Sequence, residues 1–117
     1  MVLAWSDIYG LDDRSNEDRA GFDESKNRID RIVQTEVDKG IEPKRIVIAG
    51  FSQGGALAFH TALRSPHAIG GCIGLSTWLP FSADYPAALS PAATGIKILQ
   101  VNFFFLFIVI HDFLYLK

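Results

Sequence analysis

A chain of 117 residues, 49% of them hydrophobic, is one domain's worth of polypeptide and can bury a core without disulfide or metal staples. Its 11 Lys and Arg against 13 Asp and Glu are interspersed and leave a net charge of −2, which gives no electrostatic case for a nucleic acid or an anionic membrane. The single cysteine, Cys72, sits in an apolar run. With no Cys/His cluster and no secretory signal at Met1, the expectation is a cytoplasmic protein that uses neither metal nor cofactor.

In chain order, Val2 to Tyr9 carries strand-forming residues, and Leu11 to Gly21 is charged, aperiodic and expected as loop. Asp23 then fits a helix N-cap. Ile29, Ile32, Val33 and Val37 recur at helical spacing, Lys26, Asp30, Arg31, Gln34 and Asp38 fall opposite, and Gly40 stops an amphipathic helix of about four turns. Glu24 and Arg28 form a favourable i,i+4 pair on it. Glu42-Pro43-Lys44 is a turn, and Arg45 to Gly50 is an apolar run of strand length. Gln53 to Leu63 reads as a second helix ended by Ser65-Pro66, and Gly70 to Leu75 as the next strand. Ser76 to Gly95 is a long proline-bearing loop with a short helical piece, and Ile96 to Val101 is a final strand. This order predicts an α/β fold: an open parallel sheet with helices on both faces.

The chemistry concentrates at Gly50-Phe51-Ser52-Gln53-Gly54. A serine hydroxyl is a weak nucleophile until a base takes its proton, and it must be presented where a carbonyl can reach it. A sharp strand-to-helix turn presents it by pushing the side chain off the end of a sheet. Residues two before and two after are then pressed against neighbours and must be small, which gives G-x-S-x-G. Gly50 and Gly54 hold those places, and Gly55 adds clearance for helix packing. The backbone N–H of Gln53 would supply half of an oxyanion hole at the start of the helix. The competing reading is a glycine-rich turn with an incidental serine. A phosphate loop would need G-x-x-x-x-G-K-[ST] or G-x-G-x-x-G, which the sequence lacks.

Arg45 to Ala58, RIVIAGFSQGGALA, closely resembles the elbow of the acyl-protein thioesterase (lysophospholipase-like carboxylesterase) family. Trp5-Ser-Asp-Ile-Tyr-Gly-Leu11 and Gly74-Leu-Ser-Thr-Trp-Leu-Pro80 extend the likeness in the same order, so that it runs from about Ala4 to Gln100. The resemblance implies an α/β-hydrolase fold. It implies hydrolysis of palmitoyl thioesters on proteins, or of small carboxylic or lysophospholipid esters, with Ser52 as nucleophile and Trp78-Leu79 beside the acyl pocket. Residues 1–100 are then expected to be the central part of the hydrolase domain. The family's first strands and second oxyanion N–H lie before the point matched by Met1.

Past Gln100 the likeness stops. The family's G-x-x-D-P segment, which carries its acid, and its later histidine have no counterpart, and Asn102-Phe-Phe-Phe-Leu-Phe107 stands there instead. Residues 101–117 are expected to be an aberrant apolar tail of a truncated gene product. The run Phe103 to Ile110 is far shorter than the roughly 20 residues of a membrane span and is expected to drive self-association. An alternative follows from the missing partners: a catalytically dead fragment of the family. His60 reads as a helix-face residue, His67 as exposed in a turn, and Asp84 and Asp12-Asp13 as solvated loop charges. His111-Asp112 is a poor source of base and acid, because adjacent residues rarely bring both to one serine. Trp78 stands evenly between core and pocket.

Overall fold

The computed structural model describes residues 18–102. The expected strand Val2 to Tyr9, Asp12-Asp13, His111-Asp112 and the run Phe103 to Ile110 lie outside the described residues.

Helix α1 spans Arg19–Asp38. It starts earlier than the apolar spacing predicts, because Asp18 is the cap: its Oδ1 accepts the Gly21 N–H at 2.9 Å. Such a cap is typically worth about 1 kcal/mol. The charged stretch ending at Gly21 therefore enters the helix, which is 20 residues long, and Asp23 lies within it. Phe22, Ser25 and Val33 form its buried stripe, with Ile29 half-buried beside Phe22. Ile32, one residue before Val33 and so about 100° around the helix from it, is 58% exposed. Beyond Asp38 the chain turns through Gly40, whose φ of 97° suits a residue without a Cβ.

A 3₁₀ turn at Pro43–Arg45 leads into strand β1, Val47–Phe51. Helix α2, Gln53–Leu63, strand β2, Gly71–Leu75, and strand β3, Lys97–Val101, follow. The β2–β3 connection contains two more 3₁₀ turns, Ser82–Asp84 and Pro91–Ala93. The strands form a parallel sheet in the order β1-β2-β3, in a register that aligns Ile48 with Cys72 and Ile98, and Gly50 with Gly74 and Gln100.

The core lies on one side of this sheet. Ala58, Phe59, Ala62 and Leu63 of α2 pack against Cys72, with Ile48, Tyr85, Leu89 and Ile96 around them. A second cluster joins Phe22 of α1 to Ala56 and Leu57 of α2. Enclosed by sheet, α1 and connection, α2 buries Gln53 and every residue from Gly55 to Leu63. That is why its sequence is apolar nearly all round. The expectation of helices on both faces is not met among the described residues, since α1 packs on α2 and the connection folds over the same side. Crossovers of one hand that keep stepping in one direction across a sheet place their helices on one face. On the other face Val47 and Leu99 are 56% and 55% exposed. No described helix is long and apolar enough to cross a membrane.

Candidate active site at the β1–α2 junction

Ser52 stands alone between the last residue of β1 and the first of α2, at the carboxyl ends of the parallel strands. Its φ of 54° and ψ of −121° are costly for a side chain with a Cβ, by about 1–3 kcal/mol. Three hydrogen bonds hold that conformation. The Ser52 N–H donates to the Leu75 carbonyl at 2.8 Å, while the Ser52 carbonyl accepts the Ala56 N–H at 3.1 Å and the Thr77 hydroxyl at 2.6 Å. One strand further on, Ser76 repeats the positive φ, at 48°, and donates its N–H to the Val101 carbonyl at 2.7 Å. The three strand ends are thus stitched into one ledge, with Ser52 on it.

The glycines divide the steric work differently from the motif argument. A Cβ on Gly50 would stand 2.1 Å from the Gly54 carbonyl oxygen, and one on Gly55 would stand 2.7 Å from the Thr77 Cβ. Gly54, by contrast, has nothing within 4 Å of its Cβ position among the described residues. The second crowded position is Gly55; at Gly54 it is the carbonyl, not the side-chain position, that meets a neighbour.

The β2–β3 connection is laid along α2 from end to end. Thr77 holds Ser52 at the start of the helix, and Trp78 is half-buried against the cluster of Phe22, Ala56 and Leu57. Phe81 meets His60 at mid-helix, with ring centroids 5.4 Å apart. Asp84 reaches Arg64 past its end at 3.0 Å, and the Ser90 N–H donates to the Leu63 carbonyl at 2.9 Å. Leu79, next to Trp78, is 36% exposed. Gln53, on the other side of Ser52, is buried.

His60 is indeed a helix-face residue, fully buried, with its Nε2 2.8 Å from Asp23 Oδ1 of α1. It lies eight residue steps beyond Ser52 along the helix, about 12 Å of rise. With Asp23 accepting, the ring proton is on Nε2, and Nδ1 is a buried acceptor without a donor among the described residues. Burial lowers its pKa most; the Asp23 hydrogen bond opposes this, and Arg64 adds to it. His67, expected to be exposed, is partly buried and bonds to Gln34 Oε1 at 2.9 Å. Asp84, with its side chain 34% exposed, is a partnered charge rather than a lone one: Arg19 at 2.8 Å and Arg64 at 3.0 Å share its Oδ2 and hold its carboxyl below the ordinary carboxylate value. Spacing along the chain could not match this acid to arginines at the start of α1 and just after α2. Burial pushes the Cys72 thiol up to about 12, so it carries no nucleophilic thiolate near neutral pH.

Comparisons with known proteins agree with this geometry. Two fungal proteins named acyl-protein thioesterase 1 are similar to the chain. The one from Mycosarcoma maydis is 37% identical over 108 residues, and the one from Schizosaccharomyces pombe is 38% identical over 96. These stretches take in 85% and 82% of this chain but only 45% and 43% of the relatives, so the chain spans less than half their length. Among solved structures, Arabidopsis thaliana SOBER1 superposes with a TM-score of 0.68 at 30% identity, over 73% of this chain and 40% of that one. A variant of the same protein gives 0.70 at 31% identity over 75% and 42%. The parallel sheet with its strand–Ser52–helix turn is accordingly part of an α/β-hydrolase fold. The profile of the phospholipase/carboxylesterase family matches residues 1–102, and the chain belongs to that family of hydrolases.

Proposed function

We propose that this chain carries the nucleophilic centre of a carboxylic ester and thioester hydrolase of the acyl-protein thioesterase type, with Ser52 as the nucleophile. The observation that carries the reading is the backbone of Ser52 itself, strained at φ 54° and held at the carboxyl ends of the strands by Leu75, Ala56 and Thr77. Strain of this kind persists where the surroundings over-determine it, and it gathers at functional sites. Attack of Ser52 Oγ on a thioester carbonyl would form a tetrahedral oxyanion, stabilised by the Gln53 N–H at the helix start. Collapse would expel the thiolate and leave an acyl-serine for water to hydrolyse. Trp78 and Leu79, joined to Thr77 beside Ser52, would flank the acyl chain. The substrates on this reading are acylated proteins, lysophospholipids or small esters in the cytoplasm, with no cofactor.

One observation favours a second reading, a chain with the centre of the fold but no turnover. Ser52 needs a base. Among the described residues His60 is engaged by Asp23 about two turns down α2, and His67 is engaged by Gln34. We therefore infer weak hydrolysis or none by the chain of 117 residues, since losing any triad member leaves only residual catalysis. The test is purified chain against a chromogenic short-chain ester and a palmitoyl thioester, with Ser52→Ala as control. Robust hydrolysis abolished by that substitution would overturn the second reading and send the search for the base to His111.

A further inference from the structure

The contacts that lay the β2–β3 connection along α2 are of unequal kind. Those at Thr77 and Ser90 are local hydrogen bonds to the ends of α2 and the residues beside them. The middle is different. Phe81 has a φ of 51°, an unfavourable conformation for a bulky side chain, and its ring fills a slot edge-on to Phe22 of α1 and His60 of α2. The guanidinium of Arg19 lies 4.0 Å over the same ring. Three residues on, Asp84 accepts from Arg19, the first residue of α1, and from Arg64, the residue after α2. One carboxylate oxygen therefore ties the connection to both helices, and Arg19 belongs to both anchors.

We propose that Asp84 is a positioning residue for acyl-chain recognition: by clasping Arg19 and Arg64 it keeps Phe81 in its slot and so sets Trp78 and Leu79 against α2 beside Ser52. The inference rests on the reading of Trp78-Leu79 as the acyl-binding segment. Trp78 and Phe81 pack on the same cluster of Phe22, Ala56 and Leu57, so the seat of one constrains the other across the two residues between them. Without the clasp, the Arg19 guanidinium over the Phe81 ring is no longer fixed by a carboxylate, and the positive-φ backbone of Phe81 is freer to relax. A long acyl chain that reaches Trp78 and Leu79 senses the change. An acetyl group confined to Ser52 does not.

The probe is a fluorescent palmitoyl ketone, with a methylene in place of the thioester sulfur, followed by anisotropy on the full chain; the acetyl ketone serves as short competitor. Exposed ion pairs are individually weak, so Asp84→Asn is expected to weaken palmitoyl binding about fivefold and acetyl binding less than twofold. Arg64→Gln, which removes one partner and leaves Arg19 on both Asp84 and the Phe81 ring, is expected to lie between, and guards against a folding defect in Asp84→Asn. In a Trp5→Phe background Trp78 is the remaining tryptophan, and its quenching by acrylamide should rise in Asp84→Asn. If Leu79→Ala weakens palmitoyl binding while Asp84→Asn changes neither binding nor quenching, the clasp is refuted and the acyl segment stands. If wild type does not bind the probe, or Leu79→Ala binds it as wild type does, the acyl segment fails. Quenching of Trp78 then decides for Asp84 alone, and an unchanged value overturns its role in placing the loop.

Discussion

The Thr77 hydroxyl donates a 2.6 Å hydrogen bond to the carbonyl of Ser52, joining the loop after β2 to the residue with the most strained backbone at the site. It reinforces the ledge that the Ser52 N–H to Leu75 and Ser76 N–H to Val101 hydrogen bonds already form. Thr77→Val keeps the shape and removes the donor. About 1 kcal/mol of stability should be lost, because the Ser52 carbonyl retains Ala56 as a partner. A shift in urea midpoint at unchanged slope checks it.

The strain at Ser52 has a measurable counterpart. Ser52 makes no side-chain cap to α2, so replacing it sacrifices no capping bond. Ser52→Gly relieves the positive φ and should stabilise the chain by about 1–3 kcal/mol while removing any ester hydrolysis. Ser52→Ala also removes the hydroxyl but keeps the strain, and its stability should stay near wild type. Thermal melts of the three proteins decide; equal melting of the Gly and Ala variants would show that the strain is not stored there.

Alanine at three glycines should separate crowding from motif. Gly50→Ala and Gly55→Ala drive a methyl into the Gly54 backbone and into Thr77, and each should cost about 3 kcal/mol or more. Gly54→Ala meets open space and gains helix propensity, so it should be neutral or stabilise by up to about 1 kcal/mol. Denaturant titrations of the three variants rank them, and a Gly54→Ala protein as damaged as the other two would overturn the assignment.

His60 makes stability depend on mildly acidic pH. Its pKa is lowered in the fold, chiefly by burial, so the unfolded chain binds the proton more readily. The corresponding stability is fully present above the ordinary value of 6.5 and falls as pH drops from there towards the folded value. Asp84 acts lower: bonds from Arg19 and then Arg64 depress its pKa, and its contribution holds above the ordinary 3.8 and is lost as pH falls through the folded value. Urea midpoints at pH 7.5 and 5.5, values about one unit either side of the His reference, should fall for wild type and fall less for His60→Gln.

Apolar residues at the sheet edge should limit solubility. Among the described residues β3 is an edge strand, with Ile98 and Leu99 half exposed, and the run Phe103 to Ile110 follows it in sequence. Chains that end at Gln100, or that carry Leu99→Lys, are expected to be more soluble and to bind less amyloid dye than the 117-residue chain. A shortened chain that aggregates more would show the tail to be packed in the fold.

What could be read from sequence was whatever local chemistry dictates. The bounds of α2 were legible at both ends, since Gln53 follows a glycine-bracketed turn and Ser65-Pro66 cannot continue a helix. The three described strands were legible as short apolar runs, and the elbow as small residues around Ser52 between a strand and a helix. The likeness to acyl-protein thioesterases named the family for the same reason: its motifs are contiguous. Tertiary structure decided whatever depends on partners distant in the chain. Asp18 rather than Asp23 caps α1, and Asp23, inside the helix, meets His60 thirty-seven residues away. Both helices lie on one side of the sheet because of the order in which its strands are laid down. Gly55 rather than Gly54 is crowded because Thr77 returns from the next strand, and Asp84 is clasped because two helix ends converge on it. A periodic pattern records which face of an element is buried; which atoms lie across from it is fixed only when the strands and helices meet.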